Sequence, residues 1–345
     1  MLDLSAWTSS CTVTTVLSAV VGYAIWFVVC SIQARKRAPP LNFEGEHCYI
    51  TGGSAGLGEQ LAVLLAEAGA HVTIVARNEK QLATAQALIE AHRLHPDTQR
   101  IRTVSADVAD PVACTQALHT AVRQQNGLTP KYVFACAGTT TPRFFLDYAA
   151  ADFERTMRVN YFGALYTIQA AAKLMIQAGC RGRVVTVSSQ AGLVGIPGYS
   201  EYAPTKAALR MLSETLYYEL GIYGIMVHCF FPANIKTPGF AHENQTKPAI
   251  TRIIDGEDEA LEPRACAQQL LAGMAKGYPA IVSDPLGDVV RAVCKGVGPA
   301  NNFALDTLYV ALGWFAVPLW RAVTWWQVRD LVATEAAQRK AQLSS

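Results

Sequence analysis

Between two apolar ends, the chain alternates short β-branched runs with stretches whose apolar residues recur at helical spacing. "HCYITGG" (47–53), "HVTIVAR" (71–77), "RIRTVSADV" (100–108), "KYVFACAG" (131–138), "RVVTVSS" (183–189) and "IMVHCFFP" (225–232) read as strands. Helical segments such as Glu59–Ala68 and Glu79–Ala91 separate them. Strands that are apolar on both faces, each followed by an amphipathic helix, predict a parallel sheet covered on both sides. Right-handed crossovers make this an α/β, doubly wound Rossmann fold, with ligands at the carboxyl ends of the strands.

The ends have a different pattern. Thr12–Ile32 carries no charge and is as long as a bilayer-spanning helix requires. It is too long for the core of a cleaved signal peptide, and Arg35, Lys36 and Arg37 follow it. The basic flank predicts an uncleaved amino-terminal transmembrane helix with the following domain in the cytosol. Phe303–Trp326 is apolar too, but Asp306, Pro318 and Arg321 interrupt it. Four tryptophans there favour a membrane-associated region, spanning or interfacial, over a buried core helix. The division is therefore 1–40 anchor and linker, 41–285 nucleotide-binding domain, and 286–345 membrane-associated helices and tail.

Of the 345 residues 51% are hydrophobic and 16% charged, with a net charge of +2, so no basic field argues for nucleic acid. Nine cysteines show no CxxC pair or metal-ligand spacing, and seven histidines are dispersed. Metal chemistry is not expected, and the thiols read as reduced, on the cytosolic side.

The candidate chemistry sits at strand ends. "TGGSAGLG" (51–58) joins the first strand to the first helix. Gly52, Gly56 and Gly58, with Ser54 and Ala55 between them, would let backbone and helix amino terminus approach a pyrophosphate. Past the second strand stand Arg77 and Asn78 with Lys80 nearby, where NAD-preferring proteins place an acid. A cation at this point suits a 2′-phosphate and favours NADPH. Asp107, placed at the end of the third strand, could accept from the adenine amino group. Tyr202 and Lys206 are four apart at a helix start, and Ser188 and Ser189 close the fifth strand. Asn160 falls inside a predicted helix, where an asparagine needs a reason.

In combination and order, TGxxxGxG, the helical Asn160, Ser189 and Tyr202-x-x-x-Lys206 resemble the short-chain dehydrogenase/reductase family over roughly 43–284. The resemblance implies Tyr202 as general acid, Lys206 as its charged neighbour and ribose contact, and Ser189 as donor to the substrate carbonyl. Asn160 would hold a relay water beside Lys206, and Pro232, Ile235 and Thr237 would lie against the nicotinamide. Ala233 and "ACAG" (135–138) depart from the family's usual residues without touching the catalytic set.

Within the family, "TGGSAGLG", "ARNEK", "SSQAG", "TPGF" and "SDPLGDVVRA" look closest to 3-ketodihydrosphingosine reductases. That likeness implies NADPH-dependent reduction of a long-chain amino ketone at the endoplasmic reticulum membrane, by a cytosolic domain in a homo-oligomer. The segment 241–263 would then be a substrate loop facing the bilayer. Its acidic run Glu257, Asp258, Glu259 reads as solvated rather than as an ammonium site. Reductases of 3-ketoacyl-CoA, steroids or retinoids are the alternative, and a non-catalytic nucleotide-binding scaffold a further one.

Overall fold

In this computed structural model the described residues are 39–256 and 260–343, with 14, 15, 17, 18, 21–25 and 29. The predicted anchor (12–32) lies largely outside them, as do Glu257, Asp258 and Glu259.

Seven strands form one parallel sheet: β1 His47–Thr51, β2 His71–Ala76, β3 Ile101–Ser105, β4 Tyr132–Ala135, β5 Arg183–Val187, β6 Met226–Phe231 and β7 Ala280–Val282. Their order is β3-β2-β1-β4-β5-β6-β7. The direction of winding reverses between β1 and β4, which opens a crevice at the carboxyl edge there. Helices α1 (Gly56–Glu67) and α2 (Glu79–Ala91) follow β1 and β2, and α3 (Pro111–Gln124) follows β3. Between β4 and β5 come α4 (Ala150–Met157) and α5 (Gly163–Gln177), joined without a break by a π-helical turn, Arg158–Phe162. Helix α6 (Ala203–Glu219) precedes β6; α7 (Pro238–Thr246), α8 (Ala249–Asp255) and α9 (Pro263–Ala275) follow it. Beyond β7 come α10 (Pro285–Cys294) and α11 (Phe303–Leu343).

Strand alternation feeds two cores. Cys48 and Ile50 of β1 join Leu61 and Leu65 of α1, Leu82 and Ile89 of α2, and Leu270 and Met274 of α9 on one face. Tyr49, between them, points to the opposite face and packs with Leu118 of α3, Ile168 and Met175 of α5, and Leu209 of α6. The β1 histidine is structural: His47 bridges Leu128 O and Thr73 Oγ1 at 2.8 and 2.9 Å. Burial holds its imidazole down at about 4, against a raising bond from Leu128.

The carboxyl-terminal region is one helix of 41 residues, about 60 Å at 1.5 Å per residue, with Pro318 inside it. Among the described residues, Phe303–Val332 is the one stretch long and apolar enough to cross a membrane, and only 11% of its apolar window is buried. Trp314, Phe315 and Trp326 are 76, 81 and 66% exposed, which is not the pattern of a core helix. Asp306 does not interrupt an apolar surface. It is buried at the helix start, accepting from Arg291 Nη2 at 2.7 Å, and so fastens α11 to α10.

Candidate active site

The glycine loop is shaped by close backbone approach. Gly52 has φ +69°, and a Cβ there would stand 2.8 Å from the Ala137 nitrogen beyond β4. A Cβ on Gly58 would stand 2.3 Å from the Gly52 carbonyl oxygen. Side chains would thus fill the cradle between β1 and α1. No side chain caps α1 at Ala55, so its first-turn N–H groups stay available to an anion. By contrast Asn78 caps α2 by accepting from Gln81 N at 3.1 Å, and is committed there. Thr237, which caps α7, has its methyl against Gly56, so the segment after β6 closes over the loop. That segment is tied down by a bridge from Ile235 to Leu261. The open groove between them, about 700 Å³, is lined by Ser54, Ala55, Gly56, Lys80 and Lys236. These residues fit a dinucleotide phosphate chain.

Arg77 stands at the end of β2 with its guanidinium 3.9 Å from Asp107, the side chains 72 and 47% exposed. The two sequence candidates therefore face each other across the outer rim. Asp107 lies in the loop past β3, which ends at Ser105, not at the strand end as expected. Its Oδ1 accepts from Ala109 N at 2.9 Å and holds that loop.

Ser189, Tyr202 and Lys206 meet where β5 runs out. Ser188 is buried and its hydroxyl donates to the Lys206 carbonyl at 2.8 Å, which locks α6 against β5. Ser189 is half-buried; its Oγ accepts from Ala191 N at 3.1 Å, and its hydroxyl lowers the Tyr202 phenol against the effect of burial. Of the two serines, Ser188 spends its hydroxyl proton on the Lys206 carbonyl. Tyr202 occupies the amino-terminal cap of α6, with Pro204 in the first turn, where its missing N–H costs nothing. Lys206 is buried, donates to the Val187 carbonyl at 2.8 Å, and holds its ammonium 5.4 Å from the Tyr202 ring centroid.

Asn160 sits in the π-helical turn rather than a regular helix, a distortion that re-aims one side chain. Its Oδ1 accepts from Thr139 N at 2.7 Å, and its Nδ2 donates to Thr139 O and Thr205 Oγ1 at 2.9 and 3.1 Å. Asn160 Oδ1 and Lys206 Nζ both lie 3.4 Å from where a Cβ on Gly138 would be, so glycine leaves the gap between them open.

Electrostatics separate an acid from a cation. Burial raises the Tyr202 phenol well above its ordinary value, Glu243 adds to this, and the nearby Ser189 hydroxyl opposes it. The phenol is protonated at neutral pH and has a proton to give. Burial lowers the Lys206 ammonium to about 8, so it keeps its charge at pH 7. A protonated phenol, a hydroxyl donor and an ammonium beside a phosphate cradle can together stabilise and protonate an oxygen that gains charge.

Several neighbours carried no local signal. Tyr199, without a role in the sequence, is buried and bonds both Glu243 and Asp255. Glu201, 2% exposed, accepts from Thr140 Oγ1 and Thr141 N. These partners come from α7, α8 and the β4 loop, and only folding brings them together.

The family model described as short chain dehydrogenase matches residues 46–248. A 3-ketodihydrosphingosine reductase of Cryptococcus neoformans is 38% identical over 278 residues, 80% of this chain and 82% of that one. A 3-ketodihydrosphingosine reductase of Bos taurus is 37% identical, covering 76% of this chain and 78% of its own. Among solved structures, a short-chain type dehydrogenase/reductase from Mycobacterium marinum aligns with TM-score 0.62 at 26% identity, covering 70% of this chain and 94% of that one.

Proposed function

The chain belongs to the short chain dehydrogenase family, and on that premise we propose that it reduces 3-dehydrosphinganine to sphinganine with NADPH at a membrane. The observation that carries this is the convergence at the end of β5 of Ser189, Tyr202 at the cap of α6 and the buried Lys206 ammonium, 5.4 Å from the Tyr202 ring centroid. The cofactor, when bound, supplies a hydride to the carbonyl carbon. Tyr202 gives its phenolic proton to the oxygen that becomes the alcohol. Ser189 donates to that oxygen and orients the carbonyl, so the charge it gains meets two donors already in place. Lys206 keeps a positive charge beneath them and holds the ribose hydroxyls. Asn160 fixes the Thr139 backbone and the first turn of α6 from which Lys206 projects.

Gly52, Ser54, Ala55, Gly56 and Gly58 hold the pyrophosphate, and Asp107 the adenine edge. Arg77 and Lys80 receive the 2′-phosphate, which favours NADPH over NADH. Ile235 and Thr237 cover the nicotinamide side. The exposed aromatic face of α11 keeps the domain at the bilayer into which a long-chain ketone partitions. The basic Arg35–Arg37 flank supports a cytosolic catalytic domain at the endoplasmic reticulum.

NADPH oxidation by the purified protein, compared between 3-dehydrosphinganine and a 3-ketoacyl-CoA, tests the substrate. Activity on the thioester alone sinks the assignment. Tyr202→Phe should lower kcat by about 10²–10⁴ with cofactor binding intact, and unchanged turnover would contradict the proton role.

A further inference from the structure

Two carboxylates that the proton transfer does not use lie one aromatic ring away from it. Glu243 of α7 and Asp255 of α8 both accept from the Tyr199 hydroxyl, and the Tyr199 ring centroid is 5.6 Å from that of Tyr202. Lys247 joins them with a fully buried side chain, its ammonium 3.0 Å from Glu243 Oε1 and 2.7 Å from Asp255 Oδ2. Every one of these bonds falls on the same oxygen of each carboxylate. Among the described residues no bond reaches Glu243 Oε2 or Asp255 Oδ1, and the residual exposure, 13 and 12%, belongs to the carboxylates while Lys247 has none.

A third carboxylate is short of a partner. Glu201, directly before Tyr202, is 2% exposed, and its Oε2 is buried with no hydrogen bond. The charges of Glu201, Glu243 and Asp255 all act on the Tyr202 phenol. Among the described residues one ammonium, Lys247, is in ion-pair contact with Glu243 and Asp255, and no cation is in ion-pair contact with Glu201, so the carboxylates outnumber the cations that touch them. Buried charge is costly until paired. The group already takes an alkylammonium: Lys247 Nζ lies 4.6 Å from the Phe240 ring centroid and 5.7 Å from that of Tyr199.

Resting on the reductase reading above, the geometry points to Glu243 and Asp255, backed by Glu201, as the subsite for the primary ammonium of the amino ketone. Ammonium and keto oxygen on adjacent carbons stay within about 3 Å of each other by ordinary bond lengths. A carbonyl held by Ser189 and Tyr202 therefore delivers its ammonium to the Tyr199 side of the crevice. The missing charge is supplied by the substrate, and neutral ketones, steroids and acyl thioesters leave it uncompensated.

The test uses the full-length protein in detergent with NADPH, 3-dehydrosphinganine and its N-acetyl derivative. The wild type should prefer the free amine in kcat/KM by about 10–100-fold, the range of a lost charged hydrogen bond. In Glu243→Gln and Glu201→Gln the ratio should fall toward one through KM for the free amine. A loss shared equally by both ketones would mean that the carboxylates only hold the loop, and the proposal falls. Octylamine and octanol as inhibitors of the wild type need no variant: octylamine should compete at least about 10-fold better, and equal inhibition refutes the subsite. Reduction of neither ketone by the wild type would refute the reductase reading instead.

Discussion

Three glycines of one loop, changed singly to alanine, separate the cradle from the core beneath it. A Cβ on Gly58 would lie 2.3 Å from the Gly52 carbonyl oxygen, well inside the 3.0 Å that real Cβ contacts respect. The obstacle is backbone, which cannot rotate aside, so the turn must open. At the upper end of overpacking this costs about 3 kcal/mol. If binding needs the turn closed, the NADPH Kd rises about 100-fold, at about 1.4 kcal/mol per decade. Gly56→Ala meets the Thr237 methyl at 2.7 Å, which can yield, and keeps φ +59° at about 1–2 kcal/mol, or about 10-fold in Kd. Gly53→Ala points the other way, 2.6 Å from Cγ2 of the fully buried Ile74. It should lower Tm by several degrees, at about 2–4 °C per kcal/mol, with Kd within about threefold of wild type. NADPH titration beside thermal melts reads both axes. Gly53→Ala weakening NADPH as much as Gly58→Ala would refute this division of roles.

Arg77→Glu should raise the NADPH Kd about 10–100-fold and leave NADH binding and Tm unchanged, because Arg77 is 72% exposed and among the described residues pairs only with Asp107, at 3.9 Å; equal losses for both cofactors would remove it from the 2′-phosphate site. Lys206 is lowered to about 8, so its charge is present at pH 7 and lost as pH rises through that value; kcat/KM for ketone reduction should fall above about pH 8, and a profile flat to pH 10 would exclude its charge from the reaction. Asp306→Ala removes the main partner of a buried guanidinium, both side chains being 3% exposed, and should cost about 3 kcal/mol in melts and expose α11 to protease. An unchanged melt would mean that Asp288, 3.1 Å from the same Arg291 nitrogen, suffices alone.

Much of this was readable locally. The apolar runs of β1 to β6, the glycines before α1 and Pro204 in the first turn of α6 each depend on neighbours within a few residues. Strand period, turn conformation and cap position are properties of such short windows. β7 was not legible, since its three residues alternate with nothing, and the π turn at Asn160 looks like ordinary helix. Nor could spacing choose between Ser188 and Ser189; that choice belongs to the pairing of β5 with β6 and to the packing of α6. Asp306 read as an interruption of an apolar run because its partner Arg291, 15 residues away, is reached only when α11 folds back on α10. The same holds for Tyr199, bonded to Glu243 and Asp255 at separations of 44 and 56 residues. The sequence alone determined most of the elements and the cradle, which local sterics and periodicity specify, while Tyr202 as proton donor followed from the resemblance to a family. Only the tertiary structure decided which charges are buried together, because desolvation and pairing arise when distant segments close over the same crevice.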